Sequence, residues 1–103
     1  MSLDFTILDS NGAPEREVGI GVDTHYRLMC LTDQSEGSLL QRLNDYYADA
    51  QFDTSELESL LRELIRVREQ CGQDEPLISV INDLIDLTEA ARLEQKPLLV
   101  IAD

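Results

Sequence analysis

Basic residues are scarce in this chain, and their scarcity is uneven. Lys and Arg number 8 against 21 Asp and Glu, a formal net charge of −13 on 103 residues. None falls between Arg42 and Arg62, a stretch that holds Asp45, Asp49, Asp53, Glu56 and Glu58. None falls between Arg68 and Arg92, a stretch that holds Glu69, Asp74, Glu75, Asp83, Asp86 and Glu89. Both stretches read as helical, which places these carboxylates on folded surface. A fixed acidic face attracts basic partners and repels nucleic acid and anionic membrane.

Histidine is limited to His25 and cysteine to Cys30 and Cys71. One imidazole and two separated thiols do not supply a zinc site of ordinary donors. Each cysteine sits in an apolar helical pattern and is expected to be a buried free thiol. His25 lacks a neighbouring nucleophile or acid at catalytic spacing and is expected to be a surface or half-buried helix residue. Gly19-Ile20-Gly21 lacks the third glycine of a dinucleotide fingerprint. Asp23 stands where an anion would dock, which opposes phosphate. Asp45, Asp49, Asp53 and Glu56 recur about every four residues with no mid-loop glycine, so they do not match a calcium loop. No catalytic, cofactor-binding or metal-ligating residue is assigned, and the chain is not expected to be an enzyme.

Long apolar runs are missing too. The longest, Leu98 to Ala102, is far short of the roughly 20 residues of a membrane span. Met1-Ser2-Leu3-Asp4 carries no basic region ahead of an apolar stretch, so no secretory signal is expected. A cytoplasmic protein without membrane or nucleic-acid partners is the expectation.

What is present is an ordinary core. The apolar fraction is 43% and the mean hydropathy −0.20, in the range of a globular chain. Residues 1–103 are expected to form one globular domain. Leu3, Phe5 and Ile7 alternate with polar neighbours as in a half-buried strand. Asn11-Gly12 supplies a tight turn with positive φ angles. Glu15 to Ile20 reads as the return strand, with Gly19 and Gly21 marking a bulge or a close backbone approach.

Helices follow. Asp23 or Thr24 is expected to cap one that runs to about Leu31. Asp33 to Gly37 reads as a loop. Ser38 then caps a second helix carrying Leu39, Leu40, Leu43, Tyr46, Tyr47 and Ala50. A third begins at Asp53 or Thr54, with Asp53 and Glu56, or Ser55 and Glu58, as a capping box. Its apolar stripe is Leu57, Leu60, Leu61, Leu64, Val67 and Cys71, and Gly72 ends it. Asp74, Glu75 and Pro76 open the fourth. That helix is apolar around most of its circumference, so it is expected at the centre of the fold with Ile81, Leu84 and Ile85 in the core. Leu98 to Ala102 reads as a strand joining the hairpin, in the middle of three. The fold class is therefore α+β: an N-terminal hairpin and a C-terminal strand form a small sheet against a layer of about four helices.

The chain has five aromatic residues among 103, its Phe 2 and Tyr 3, and Tyr46, Tyr47 and Phe52 fall close together. Adjacent helical residues point about 100° apart, so both tyrosines do not bury easily. An aromatic anchor ringed by charge has the composition of an interface hot spot. Asp45, Tyr46, Tyr47, Asp49, Asp53 and Glu56 are the candidate partner-binding residues. The alternative for the tyrosines is that one packs on the core and the other lies over the surface.

This pairing of acid with tyrosine is similar in character to bacterial immunity proteins. Those are small, acidic, cofactor-free proteins that neutralise a toxin, often a basic nuclease, by covering it. The likeness covers size, charge and the Tyr46-Tyr47 window. The all-helical colicin-immunity pattern does not match a hairpin and a terminal strand. The expectation is a protein-binding inhibitor of the immunity or antitoxin type acting on a basic protein. The alternative is a structural or regulatory domain, homodimeric or not, whose charge only keeps it soluble.

Overall fold

The computed structural model describes residues 2–32 and 38–102. Strands β1 (Leu3–Leu8) and β2 (Pro14–Ile20) lead into helix α1 (Val22–Leu31). A 3-10 turn (Leu39–Leu43), strand β3 (Ala50–Phe52) and a second 3-10 turn (Thr54–Glu56) follow. Helices α2 (Leu57–Gln70) and α3 (Glu75–Glu94) and strand β4 (Leu98–Ala102) complete the order. This is an α+β fold. Among the described residues it has three α-helices where about four were expected, and four strands where three were expected. The expected loop at Asp33–Gly37 lies outside the described residues.

The sheet is antiparallel, in the order β2-β1-β4-β3. Direct partners in an antiparallel ladder present their side chains to the same face. The register pairs Leu3 with Ile20 and Ala102, Phe5 with Val18 and Val100, and Leu98 with Phe52. Leu3, Phe5, Ile7, Ile20, Leu98, Val100 and Phe52 are all buried, in one cluster with Leu60 and Leu64 of α2 and Ile81, Leu84 and Leu87 of α3. The helices therefore cover one face of the sheet.

The hairpin closes differently from the expected two-residue turn. Only Gly12 has positive φ, at 82°, and Asn11 does not. Asp9 organises the turn instead, its Oδ1 accepting from the backbone N–H of Asn11 at 2.8 Å and of Ala13 at 3.0 Å. These two bonds hold the Asp9 carboxyl below its ordinary value. The bulge lies at Ile7/Leu8 rather than near Gly19 or Gly21. Gly19 is a close approach, because a Cβ there would stand 2.8 Å from Asp4 Oδ1. Gly21 occupies the N-cap of α1 with no side-chain bond, so neither Asp23 nor Thr24 caps the helix.

The expected helix over residues 39–50 does not form. Its backbone bonds reach only three residues back, from Gln41 to Ser38, Asn44 to Gln41 and Ala48 to Asp45. Asp45 Oδ1 takes the N–H of Tyr47 at 2.9 Å. Short polar side chains that bond to nearby backbone in this way compete with helix. Ala50–Phe52 then pairs with β4 and becomes the edge strand. Ser38 sits at the N-cap without a side-chain cap. Glu63 of α2 does the capping from outside, accepting from Ser38 Oγ at 2.6 Å and from the N–H of Leu39 at 2.9 Å.

Other helix signals act as the sequence suggests. Both bonds of the Asp53/Glu56 capping box are present, and the box opens the 3-10 turn that runs into α2. Gly72 follows α2 with φ 62°. Asp74 caps α3 by accepting from the N–H of Leu77. Along α3, Leu77, Ile81, Leu84, Leu87, Thr88 and Ala91 are buried. Ile78, Val80 and Ile85 are half-buried. The helix thus buries one stripe fully and its flanks in part, and Ile85 is not among the fully buried residues.

Candidate functional site

The segment between the first 3-10 turn and α2 carries all six candidate partner-binding residues. The broken helix decides their geometry. Tyr46 turns inward and is only 8% exposed, while Tyr47 is 67% exposed. The tyrosine pair thus divides, one packing on the core and the other lying over the surface.

Tyr46 is fixed from three sides. Its hydroxyl donates to the carbonyl of Ile20 at 3.3 Å. Its ring lies 5.0 Å from the His25 ring, tilted by 57°. The Tyr47 ring meets it edge-on, with centroids 5.3 Å apart and an interplanar angle of 84°. Both spacings fall in the favourable range for aromatic pairs. His25 is itself buried and its Nε2 donates to the carbonyl of Leu43 at 2.5 Å, which corrects the expected surface or half-buried placement. The exposed Tyr47 ring therefore packs edge-on against the buried Tyr46, which in turn meets His25.

The acids divide as well. Asp45 is exposed and holds the turn that presents Tyr47. Asp49, just before β3, bonds to the neighbouring strand β4, its Oδ1 accepting from the N–H of Ala102 at 2.7 Å. Asp53 accepts from Gln51 Nε2 at 3.1 Å and serves the capping box. Glu56 is the most engaged. Arg42 donates from Nη1 and Nη2 to its two oxygens, and the N–H of Asp53 donates to Oε1 at 3.0 Å. The Arg42 bond and the Asp53 N–H bring the Glu56 carboxyl down to about 2. Glu56 is thus neutralised within the fold.

Bases that border the acid-only stretches turn onto them. Arg42 pairs with Glu56, Arg62 with Glu58 and Arg92 with Glu89. Further off, Arg27 pairs with Asp74, and Lys96 with Glu15. A count of charge along the sequence misses this folding back, because Arg42 meets Glu56 only through the tertiary fold.

Of the exposed apolar residues that the sequence did not single out, two lie together on α1. Val22 is 58% exposed and Tyr26 is 70% exposed. They stand at i and i+4 on α1, with His25 between them, and such positions share a helix face. Their signal was available in the spacing Val22, His25, Tyr26 and Met29, an apolar stripe of which His25 is buried and Val22 and Tyr26 are not. Of that stripe, His25 meets the Tyr46 ring.

Among the described residues, no group of three or more His, Cys, Asp or Glu is placed to hold a metal ion, and no helix is long and apolar enough to cross a membrane. Comparison with protein-family models, with curated proteins and with solved structures yields no match to this chain.

Proposed function

We propose that this chain is a small acidic protein-binding module, an inhibitor of the immunity or antitoxin type that covers a basic protein partner. The observation that carries the reading is the exposed Tyr47 ring seated on the buried Tyr46–His25 pair. A surface aromatic held rigidly loses little freedom on docking and fills a pocket well. Asp45 stands beside it in sequence and in the same turn. The net charge of −13 steers a basic protein toward the surface at long range. The binding residues proposed are Tyr47 and Asp45 first, with Asp49 and Asp53 at the margin. Tyr46 supports Tyr47 from below, and Glu56 acts through Arg42 on the fold.

The engagement of Asp49, Asp53 and Glu56 in internal bonds favours a second reading. There the acids serve structure and solubility, and the chain is a structural or regulatory domain or a homodimer with no toxin partner.

The test starts from a partner captured on the immobilised chain from its source cell and then purified. Association and dissociation are measured at low and moderate salt for the wild type, Asp45→Asn and Tyr47→Ala. Asparagine keeps the Oδ1 that Tyr47 N–H needs and removes only the charge. Asp45→Asn should slow association and flatten its salt dependence. Tyr47→Ala should speed dissociation, for a loss of about 2 kcal/mol or more. Unchanged rates for both, with unchanged melting temperatures, would show that this face is solvated surface and overturn the proposed binding residues.

A further inference from the structure

We propose that Cys30 and Cys71 form a reversible disulfide between the last turn of α1 and the end of α2. Both thiols are free, with Cys30 exposed and Cys71 buried, so the expectation of two buried thiols holds for Cys71 alone. Both line the same groove, of about 230 Å³, together with Arg27, Gln70 and Asp74.

A second observation fixes the two walls of that groove. Arg27 Nη1 donates to both carboxylate oxygens of Asp74, each at 2.9 Å. Arg27 is three positions before Cys30 and so shares its face of α1. Asp74 follows Cys71 closely, and its N–H donates to the Cys71 carbonyl at 3.2 Å. The ion pair thus tethers the Cys30 face of α1 to the corner that carries Cys71. A disulfide needs Cβ atoms about 4 Å apart. The pairing requires a shift of the last turn of α1 that brings the two Cβ atoms within that distance, and a rotation that turns the exposed Cys30 sulfur toward Cys71.

The two sulfurs have different parts. Burial, and the nearby Asp74 carboxylate, push the Cys71 thiol up, and its S–H donates to the Val67 carbonyl at 3.4 Å. The exposed Cys30 is the first to react. The oxidant class is a peroxide. The Cys30 thiolate attacks one peroxide oxygen, an S–O bond forms and the O–O bond breaks. The departing hydroxide takes a proton and leaves as water. Cys71 then gives up its proton and attacks the Cys30 sulfur. The S–S bond forms, the S–O bond breaks, and the second oxygen leaves as water. Two thiols and one hydrogen peroxide give one disulfide and two waters. A dithiol reverses the change by thiol–disulfide exchange.

The test oxidises the folded wild type with hydrogen peroxide, alkylates the remaining thiols and maps the peptides by mass spectrometry. The expected product is a monomer lighter by two hydrogens, with a Cys30–Cys71 peptide that dithiothreitol splits. It should melt roughly 5 °C or more above the reduced form, as loop closure requires. It should also form faster in the folded chain than in the chain unfolded in urea. Equal rates in the two states would show that the fold does not bring the thiols together. An intact Cys71 thiol beside an over-oxidised or intermolecularly linked Cys30 would overturn the pairing outright. Because Cys71→Ser risks the fold, Cys30→Ser is the control variant, and its Cys71 should stay reduced under the same treatment.

Discussion

Arg42 and Glu56 meet fork to fork, the two guanidinium nitrogens on the two carboxylate oxygens. The same Arg42 Nη1 donates to the carbonyl of Gln51 at 2.9 Å, and its guanidinium lies 5.4 Å from the Phe52 ring centroid. One side chain thus ties the first 3-10 turn to the edge strand β3 and to the start of α2. Bidentate pairs of this kind add geometric specificity to charge.

The pair sets a pH dependence. The Glu56 carboxyl is held at about 2 in the fold against an ordinary 4.5. A depressed carboxylate contributes stability that is fully present above its unfolded value and is lost as pH falls through its folded value. Glu56→Gln should therefore melt below the wild type at pH 7. The gap should narrow as pH falls from about 4.5 to about 2, read by thermal denaturation across that range. A gap that stays constant with pH would show that the charge on Glu56 is not what stabilises this corner.

Ile81 and Ile85 lie one turn apart on α3 but differ in burial. Ile81 is fully buried and Ile85 half-buried. Ile81→Ala should lower stability by about 2–5 kcal/mol. Ile85→Ala should lower it by about 1 kcal/mol. Urea unfolding of both variants gives the order, and a reversed order would mean that α3 presents a different stripe.

Thr6 is 1% exposed in the inner strand β1, and its Oγ1 has no hydrogen-bond partner among the described residues. A buried unpaired hydroxyl is unfavourable. Thr6→Val should raise stability by about 1 kcal/mol. A loss of stability in urea unfolding would show that the hydroxyl has a partner.

β4 lies between β1 and β3, bonded to both. A chain lacking residues 98–103 loses buried Leu98 and Val100 and leaves β3 without a neighbour. Its thermal transition should lose cooperativity. A sharp transition like that of the full chain would show that the strand is dispensable.

The excess of acid should make the melting temperature rise with sodium chloride over the low range, as the screening length contracts to about 10 Å at 0.1 M. The ion pairs of Arg42, Arg62 and Arg92 work against this rise, because salt weakens them as well. A flat response would mean that these local pairs offset the general repulsion.

Signals local to a few residues were legible. The Asp53/Glu56 box, Gly72, the Asp74 cap and the strand Leu98–Ala102 each follow from chemistry within one turn or one alternation. The stretch from Leu39 to Ala50 misleads because Leu39, Leu40, Leu43, Tyr46, Tyr47 and Ala50 have helical spacing. Spacing does not register that Asp45 takes the Tyr47 N–H or that Ala50–Phe52 finds β4 far along the chain. Within the candidate site, the division of Tyr46 from Tyr47 was legible as an alternative. Neither the capture of Glu56 by Arg42 nor the burial of His25 against Leu43 was legible, since each depends on a partner brought near only by the finished fold.

The register that sets Leu3 opposite Ala102 also imposes an order in time. A ribosome releases the hairpin and α1 long before β4 exists, and β1 then has β2 on one side and nothing on the other. The inner edge of β1 must wait through the synthesis of α2 and α3 for the strand that seals it. Contacts this distant in sequence close slowly, and a waiting strand edge can be joined by another chain. Until β4 pairs with it, the inner edge of β1 stays open to such joining.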